Sequence, residues 1–479
     1  MRFEEYRDYD AVGLAALIAA KSVSESEVLD AALSRLDAVN PKLNAVINVL
    51  ADEARAAIRD GLPQGPLRGV PFLIKDLGVM VRGTASGGGS RLLKHSPPAP
   101  EDSALVAAYR KAGLVIFGKT NTPEFGMAAT TEPAAYGVTR NPWNPDRTCG
   151  GSSGGAAAAV AAGILPAAHG SDGGGSIRIP SSCCGLFGLK PSRGRVSAAP
   201  LGDAWSGFSI NHALTHSVRD SAALLDAACH PVEGDSYWLP PPQTPFLSEV
   251  GRAPGKLRIG YMPFNLLGYE IEAPVAAATA DAARLCESLG HIVTEAKIDT
   301  DFQAATDAAN LIVSASASAM FDRIAALRHK PVHPDELESL PWMVYQQGKA
   351  ASGTDVMAAF ATKNDFTLAV GRAFESADVL LLPTLGRVPV PVGELSIAHV
   401  TSSEAYGEAL YRFINTQAFN ISGNPAMSVP LGMSPEGLPI GVQFVGRLGD
   451  EATLFRLAAQ LEQAAPWAKR RPSEANYLQ

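Results

Sequence analysis

The segment Gly170-Ser-Asp-Gly-Gly-Gly-Ser-Ile-Arg-Ile-Pro180 places three consecutive glycines directly before Ser176. A second segment of similar composition, Cys149-Gly-Gly-Ser-Ser-Gly-Gly155, lies upstream. Because glycine tolerates tight turns, such runs can aim several backbone N–H groups at one point, as an oxyanion hole requires. Both segments lie between apolar runs, which argues against flexible Gly/Ser linkers. The pattern predicts a nucleophilic serine at position 176.

The second segment also holds two candidate proton carriers. Residues 156–162 are mostly alanine, a strong helix former, so Ser152 and Ser153 should lie near a helix N-terminus with its positive partial charge. The two serines are chemically identical, and composition leaves open which of them would exchange a proton with Ser176.

A serine nucleophile needs a base, and two side chains are candidates. His169 ends the apolar run 164–168, where a hydrogen-bonded core histidine is the commoner arrangement. Lys75 ends the apolar run 70–74, so burial would depress its pKa and leave a neutral amine that can act as a base. Taken alone, Lys75 followed by Asp76 also fits a surface lysine in a salt bridge. The two serine segments favour Lys75 as the base.

Composition narrows the class of protein. The chain has 479 residues and a formal net charge of −8, with no long run of either sign. This balance argues against nucleic acids and anionic membranes as partners. The five cysteines are irregularly spaced and predict neither a zinc site nor a disulfide framework. The first residues lack the basic and apolar regions of a signal peptide, so we expect a soluble cytoplasmic protein that needs no metal or organic cofactor.

Hydrophobic patterning predicts one large α/β domain. Residues 1–65 have helical periodicity and form a predicted N-terminal segment that packs on the core. Residues 66–479 alternate short apolar runs with helical patterns, as in a central mixed, mainly parallel β-sheet sandwiched between helices. A helical elaboration is expected around 300–375, and the Pro-rich segment 239–245 is a predicted surface linker within the same domain. The expected strands are 70–74, 114–117, 257–261, 379–382, 426–430 and 440–445, and the expected helices include 273–289, 302–328 and 451–464.

A phosphate-loop pattern in the chain is rejected on physical grounds. Gly113-Leu-Val-Ile-Phe-Gly-Lys-Thr120 matches G-x-x-x-x-G-K-[ST], but the residues between the glycines are themselves a predicted strand. Pro123 also falls where the following helix would need a backbone donor. We therefore expect a strand followed by a turn rather than a nucleotide site.

Several separated motifs together resemble the amidase signature family. The interval between Ser152 and Ser176, 24 residues, is also the family's spacing. The resemblance extends from about residue 10 to 470, and its motifs occur in the family's order. They are the two serine segments with Pro71-Phe-Leu-Ile-Lys-Asp76, Gly118-Lys-Thr-Asn-Thr-Pro-Glu124, Ser422-Gly-Asn-Pro-Ala-Met-Ser-Val-Pro430 and Pro439-Ile-Gly-Val-Gln-Phe-Val-Gly446.

The resemblance implies the amidase signature fold and a Ser–cis-Ser–Lys triad. In that triad Lys75 is the base, Ser152 is a proton relay on a cis peptide, and Ser176 is the nucleophile. The implied oxyanion hole consists of backbone N–H groups around Gly173, Gly174, Gly175 and Ser176. Many family members have threonine where this chain has Gly173. Three residues are expected to support the loop or its surroundings rather than react, namely Ser153, Asp172 and Arg178.

The implied activity is hydrolysis of a small, fairly apolar, uncharged amide through an acyl-enzyme. Thr131-Glu-Pro133, Thr139-Arg-Asn-Pro-Trp143 and Gly423-Asn-Pro425 resemble hydrolases of nylon-oligomer cyclic amides. The sequence does not separate linear from cyclic amides, esters or carbamates, and it leaves a homodimer open. The alternative is the amidase subunit of a tRNA-dependent amidotransferase. Residues 404–414 depart from that subunit's pattern and favour a chain that works alone.

Overall fold

The computed structural model describes residues 1–478. Its helices are α1 (Phe3–Tyr6), α2 (Ala11–Ala19), α3 (Glu25–Leu43), α4 (Ala51–Asp60), α5 (Ala104–Lys111), α6 (Gly154–Ala161), α7 (Arg178–Cys184), α8 (Val218–Ala228), α9 (Ala273–Ser288), α10 (Phe302–Arg328), α11 (Ser339–Ala350), α12 (Gly353–Ser376), α13 (Ser403–Phe413), α14 (Ala418–Ile421) and α15 (Glu451–Ala464). Its strands are β1 (Val46–Val49), β2 (Pro71–Lys75), β3 (Val115–Thr120), β4 (Arg140–Asn141), β5 (Asn144–Thr148), β6 (Ala167–Asp172), β7 (Phe187–Lys190), β8 (Ile210–Thr215), β9 (Arg258–Tyr261), β10 (Ile292–Glu295), β11 (Val379–Pro383), β12 (Ala426–Met433) and β13 (Pro439–Gly446).

The core is a mixed eight-stranded sheet with the strand order β10-β9-β11-β13-β12-β7-β8-β6. Helices α6 to α9 and α15 pack against its strands. The mixed α/β architecture is as predicted. The expectation of a mainly parallel sheet is wrong, because only the pairings of β9 with β10 and with β11 are parallel, and the others are antiparallel.

Strand direction was misjudged because burial on both faces does not reveal it. Apolar runs such as β11 and β13 are buried at every position, as in parallel sheets covered by helices. The residues that join β12 to β13, 434–438, form a short connection that only an antiparallel pair can use. Connection length, rather than hydrophobicity, was the informative signal.

A separate three-stranded sheet carries the first predicted strands. Its order is β1-β3-β2, with β2 and β3 parallel across α5. The rejected phosphate-loop pattern is therefore largely strand β3. Strand β2 packs against β6 of the large sheet. This contact brings the carboxyl end of β2 beside the glycine-rich segment that follows β6.

The later predicted elements match the structure closely. Strands β9, β11, β12 and β13 occur where apolar runs were expected, and all lie in the large sheet beyond segment 239–245. Helices α10, α11 and α12 follow one another between residues 302 and 376, with α10 packed on both of the others. No helix within residues 1–478 is both long and apolar enough to span a bilayer.

The N-terminal segment is tied to the rest of the chain by polar contacts as well as by apolar packing. The Tyr6 hydroxyl donates to the Ile164 carbonyl at 2.9 Å. The Asp220 carboxylate accepts from the Ala11 N–H at 2.7 Å. The segment also contributes β1 to the small sheet, which the purely helical expectation for residues 1–65 did not include.

Trp467 fixes the chain after α15, and its removal should destabilise the fold. The side chain is 1% exposed, and its indole N–H donates to the His216 carbonyl at 2.8 Å. We expect Trp467→Ala to lower the free energy of unfolding by about 3–5 kcal/mol, because a large cavity replaces the ring. Trp238, 61% exposed, supplies a matched control whose alanine variant should cost less than about 1 kcal/mol. Equal denaturant midpoints for the two variants would contradict this packing argument.

Candidate active site

Lys75 lies at the carboxyl end of β2 with its ammonium group fully enclosed. Its Nζ lies 2.7 Å from Ser152 Oγ and 2.9 Å from Ser171 Oγ. Burial lowers the pKa of Lys75 to about 7, although the charge of Asp172 opposes the shift. The surface salt bridge that the sequence left open is therefore absent. Near pH 7 a large fraction of this amine is neutral.

Each acid near Lys75 is paired with another cation. The Asp76 carboxylate forms a buried salt bridge with Lys119 and accepts from the Gly87 N–H at 3.0 Å. The Asp172 carboxylate forms a buried salt bridge with Arg178. No carboxylate in residues 1–478 forms a salt bridge with Lys75. Hydroxyl groups are its side-chain partners, which is the setting that a lysine base needs.

The Asp172–Arg178 pair holds the loop between β6 and α7. Asp172 accepts from the backbone N–H of Gly175 at 2.7 Å and from Ile177 at 3.2 Å. Burial by itself would raise the pKa of Asp172, but the Arg178 guanidinium holds it below the usual value. Arg178 also donates to the Thr416 carbonyl at 2.8 Å. The loop that precedes Ser176 is thus fixed from inside the protein.

The backbone N–H groups of this loop that are free to donate differ in one position from those expected to form the oxyanion hole. The Gly175 N–H is occupied by Asp172, so it is not free to bind an oxyanion. The N–H groups of Gly173, Gly174 and Ser176 have no acceptor among residues 1–478. Position 175 instead requires glycine for two reasons. Its φ is +132°, and a Cβ added there would lie 2.0 Å from Thr416 Oγ1.

Gly173 makes room for an aromatic ring. A Cβ built at this position would lie 2.6 Å from Cζ3 of Trp205. The threonine that many family members carry would therefore collide with this ring.

The two adjacent serines have different surroundings. The Gly151–Ser152 peptide is cis, as the resemblance implied, and Ser152 Oγ contacts Lys75 Nζ. Ser153 Oγ donates to the Ser171 carbonyl at 3.2 Å and accepts from the Ser171 N–H at 3.3 Å. Ser153 therefore connects the start of α6 to β6, whereas Thr131 Oγ1 accepts from the first helical N–H, that of Gly154, at 3.2 Å.

His169 has the structural role expected for it. Its Nδ1 accepts from the Lys75 backbone N–H at 3.2 Å, so its Nε2 carries the proton and faces Asn211 Oδ1 at 3.2 Å. Burial lowers the pKa of His169 to about 3, and the nearby Lys75 charge adds to the shift. The ring aligns β2 with β6 and remains neutral.

Ser176 borders two cavities and is 8% exposed. The large cavity, about 770 Å³, also reaches Ser152 and Ser171 and has mostly apolar walls that include Met80, Leu93 and Met320. The small cavity, about 470 Å³, reaches Gly174 and is bordered by α10 and α13. Trp205, Gly126 and Gly173 line both cavities. A ligand at Ser176 can extend in two directions.

The Amidase family model matches residues 27–455 of this sequence. The chain belongs to the amidase signature family. As a member of this family it is a hydrolase, and the fold and the recognised motifs agree with that assignment.

Relatives within the amidase signature family cover nearly the whole chain. A 6-aminohexanoate-cyclic-dimer hydrolase from Paenarthrobacter ureafaciens is 40% identical over 98% of this chain and 97% of its own length. A solved structure of 6-aminohexanoate cyclic dimer hydrolase covers 98% of this chain and 99% of its own, with a TM-score of 0.93 and 38% identity. One subunit of the glutamyl-tRNA(Gln) amidotransferase from Thermotoga maritima is more distant, at 28% identity and a TM-score of 0.76 over 97% of this chain and 95% of its own.

Sequence reasoning missed several residues of this candidate site. Ser171 was quoted within its motif but given no role, although its hydroxyl is the second partner of Lys75. Thr416, Asn420 and Gln443 were not singled out, and all three accept hydrogen bonds from Arg178. The late motifs pointed to their neighbourhood, but nothing in the sequence connected them with Arg178.

The loop should depend strongly on Arg178. We expect Arg178→Ala to lower the free energy of unfolding by about 3–5 kcal/mol, because the buried Asp172 charge loses its partner. Arg178→Lys should be intermediate, since it keeps the charge but not the fork of donors. Arg284 forms an exposed pair with Asp281, and its alanine variant should cost less than about 1 kcal/mol. Chemical denaturation of the three variants tests the ranking, and a neutral Arg178→Ala would contradict it.

Proposed function

We propose that this chain hydrolyses the C–N bond of small amides through an acyl-enzyme on Ser176, with Ser152 as proton relay and Lys75 as base. The observation that carries the proposal is the contact of 2.7 Å between Lys75 Nζ and Ser152 Oγ in a fully buried setting. A buried amine with a pKa near 7 can accept a proton at neutral pH, which an exposed lysine cannot do effectively.

In the acylation step, neutral Lys75 takes the proton of Ser152 as Ser152 takes that of Ser176. The Ser176 oxygen attacks the carbonyl carbon, and the carbonyl π pair moves onto the oxygen. The free N–H groups of Gly173, Gly174 and Ser176 are the candidate donors to this oxyanion. As the C–N bond breaks, Ser152 protonates the leaving nitrogen and recovers a proton from Lys75. The products are a free amine and an ester on Ser176.

Deacylation repeats these proton transfers with water as the nucleophile. A water molecule gives a proton to the relay and attacks the ester carbon, and the Ser176 oxygen leaves with a proton returned by Ser152. The released product is a carboxylic acid. Every proton transfer uses groups of this chain and water.

Similarity guides the choice of substrate. Two relatives at 40% and 39% identity and a solved structure with a TM-score of 0.93 are 6-aminohexanoate-cyclic-dimer hydrolases, so small cyclic and linear amides of this type are the first substrates to assay. The amidotransferase alternative is less favoured, because the solved amidotransferase subunit has a TM-score of 0.76 against 0.93 for the cyclic-dimer hydrolase. Glutamine hydrolysis that strictly required a second protein would reverse this ranking.

Serine substitutions test the assigned roles. Ser176→Ala should abolish acyl-enzyme formation, which mass spectrometry of the trapped adduct would show. Ser152→Ala should lower kcat by about 10²–10⁴-fold, the usual contribution of a proton relay. Ser153→Ala is the matched control. It removes hydrogen bonds to Ser171 and should cost about 1 kcal/mol of stability with a smaller kinetic effect. An adduct on another residue, or an inactive Ser153→Ala beside an active Ser152→Ala, would refute the assignment.

The pH profile tests Lys75. The base must be neutral, and burial lowers its pKa to about 7, so kcat/KM should rise through pH 7 and level off above it. Lys75→Ala should lower kcat/KM by at least about 10²-fold and remove that inflection. A profile that is flat from pH 6 to pH 9 in the unmodified protein would argue against Lys75 as the base.

A further inference from the structure

The two cavities at Ser176 determine which end of a bound amide lies in which cavity, an inference that rests on the proposed function. The leaving nitrogen must lie within hydrogen-bond reach of Ser152, which protonates it. Ser152 lines the large cavity and is not among the residues of the small one. The amine portion therefore extends into the large cavity. The acyl portion, on the other side of the carbonyl carbon, extends past Gly174 into the small cavity.

The charges that line the two cavities differ. Asp307 and Glu404 are the only ionisable acids or bases besides tyrosine that line the small cavity, and no Lys, Arg or His lines it. The large cavity is lined by charges of both signs, namely Arg323, Asp76 and Asp203. Glu404 forms no salt bridge with any residue in 1–478, and the Asp307 carboxylate accepts only from the Gln303 amide, at 2.8 Å. The rim of the small cavity is therefore acidic without a compensating cation.

Two further polar atoms of the small cavity lack partners in the described chain. They are the Tyr406 hydroxyl and Oε1 of Gln417. Both atoms can accept a hydrogen bond, as an ammonium group requires. Gln417 lies beside the glycine loop, with its Cγ 3.9 Å from a Cβ built at Gly174. Acceptors thus extend from the loop to the acidic rim.

We propose that the amide binds with its amine portion in the large apolar cavity and its acyl portion in the small cavity, where Asp307 and Glu404 select acyl groups that end in a cation. The preferred substrate class is therefore an ω-aminoacyl amide with an apolar amine. A cyclic amide fits the same arrangement, because ring opening turns the leaving amine into the cationic end of the acyl group. Movement of that amine to the acidic rim would separate it from the ester and disfavour ring closure.

Two isosteric pairs of synthetic amides test the direction and the charge preference. The acyl-side pair is 6-aminohexanoyl anilide and heptanoyl anilide, which differ only in ammonium against methyl. The amine-side pair is N-(5-aminopentyl)heptanamide and N-hexylheptanamide. We expect the ammonium member to have the higher kcat/KM in the acyl-side pair. In each of the variants Glu404→Gln and Asp307→Asn, the ratio of kcat/KM for the ammonium member to that for the methyl member should fall about three- to fivefold. A change of this size corresponds to the loss of one exposed charge interaction.

Control variants separate local charge from general effects. Glu408 lies one turn further along α13, pairs with Arg412 and does not line the small cavity. Glu408→Gln should leave both ratios unchanged. Met320→Trp fills the large cavity, so it should reduce hydrolysis of N-hexylheptanamide more than that of unsubstituted heptanamide. High salt should reduce the acyl-side preference, since the two carboxylates are exposed.

The outcomes distinguish the possible failures. An acyl-side ratio that is the same in Glu404→Gln, Asp307→Asn and the parent would overturn the charge preference. If the two variants changed the amine-side ratio instead, the direction of binding would be reversed. If Ser176→Ala hydrolysed these amides as fast as the parent, the proposed function itself would fail, and this inference with it.

Discussion

The site depends on how the buried charges around Lys75 are distributed. Lys119 pairs with Asp76 and Arg178 pairs with Asp172, so the acids nearest to Lys75 are both engaged elsewhere. The lysine is left with hydroxyl partners and no carboxylate in direct contact. An amine in this setting loses hydration without gaining an ion pair, so its neutral form is favoured. A direct salt bridge to either acid would keep the lysine charged and would remove the base from the proposed mechanism.

The glycine loop and the lysine are positioned by the same contact between sheets. Strand β2 delivers Lys75, and β6 delivers Ser171 and the loop that leads to Ser176. The neutral His169 ring bridges the two strands. The buried Arg178 side chain then fixes the loop through its hydrogen bonds to Asp172 and to the carbonyl of Thr416. The proposed base, relay and nucleophile therefore come from three segments that buried polar contacts hold in one place.

Much of this arrangement could be predicted from local sequence patterns. Glycines before Ser176 and an apolar run ending at Lys75 were enough to propose the nucleophile and the base, because each feature lies within a few residues of the side chain that it marks. Apart from Asp172, the partners of Arg178 come from residues more than 200 positions away, and no local pattern marks them. Sheet direction was also misjudged, since β11 and β13 are buried at every position although they run antiparallel. The occupied Gly175 N–H is a further detail that only the three-dimensional contact with Asp172 reveals.

Titration of Lys75 itself tests the central claim most directly. The Cε and Nζ signals of labelled lysines can be followed by NMR as pH is raised, with the Lys75→Arg variant identifying the signal. The account predicts a midpoint near pH 7, because burial lowers the pKa to about 7. A Lys75 signal that remains that of an ammonium group through pH 9 would contradict it.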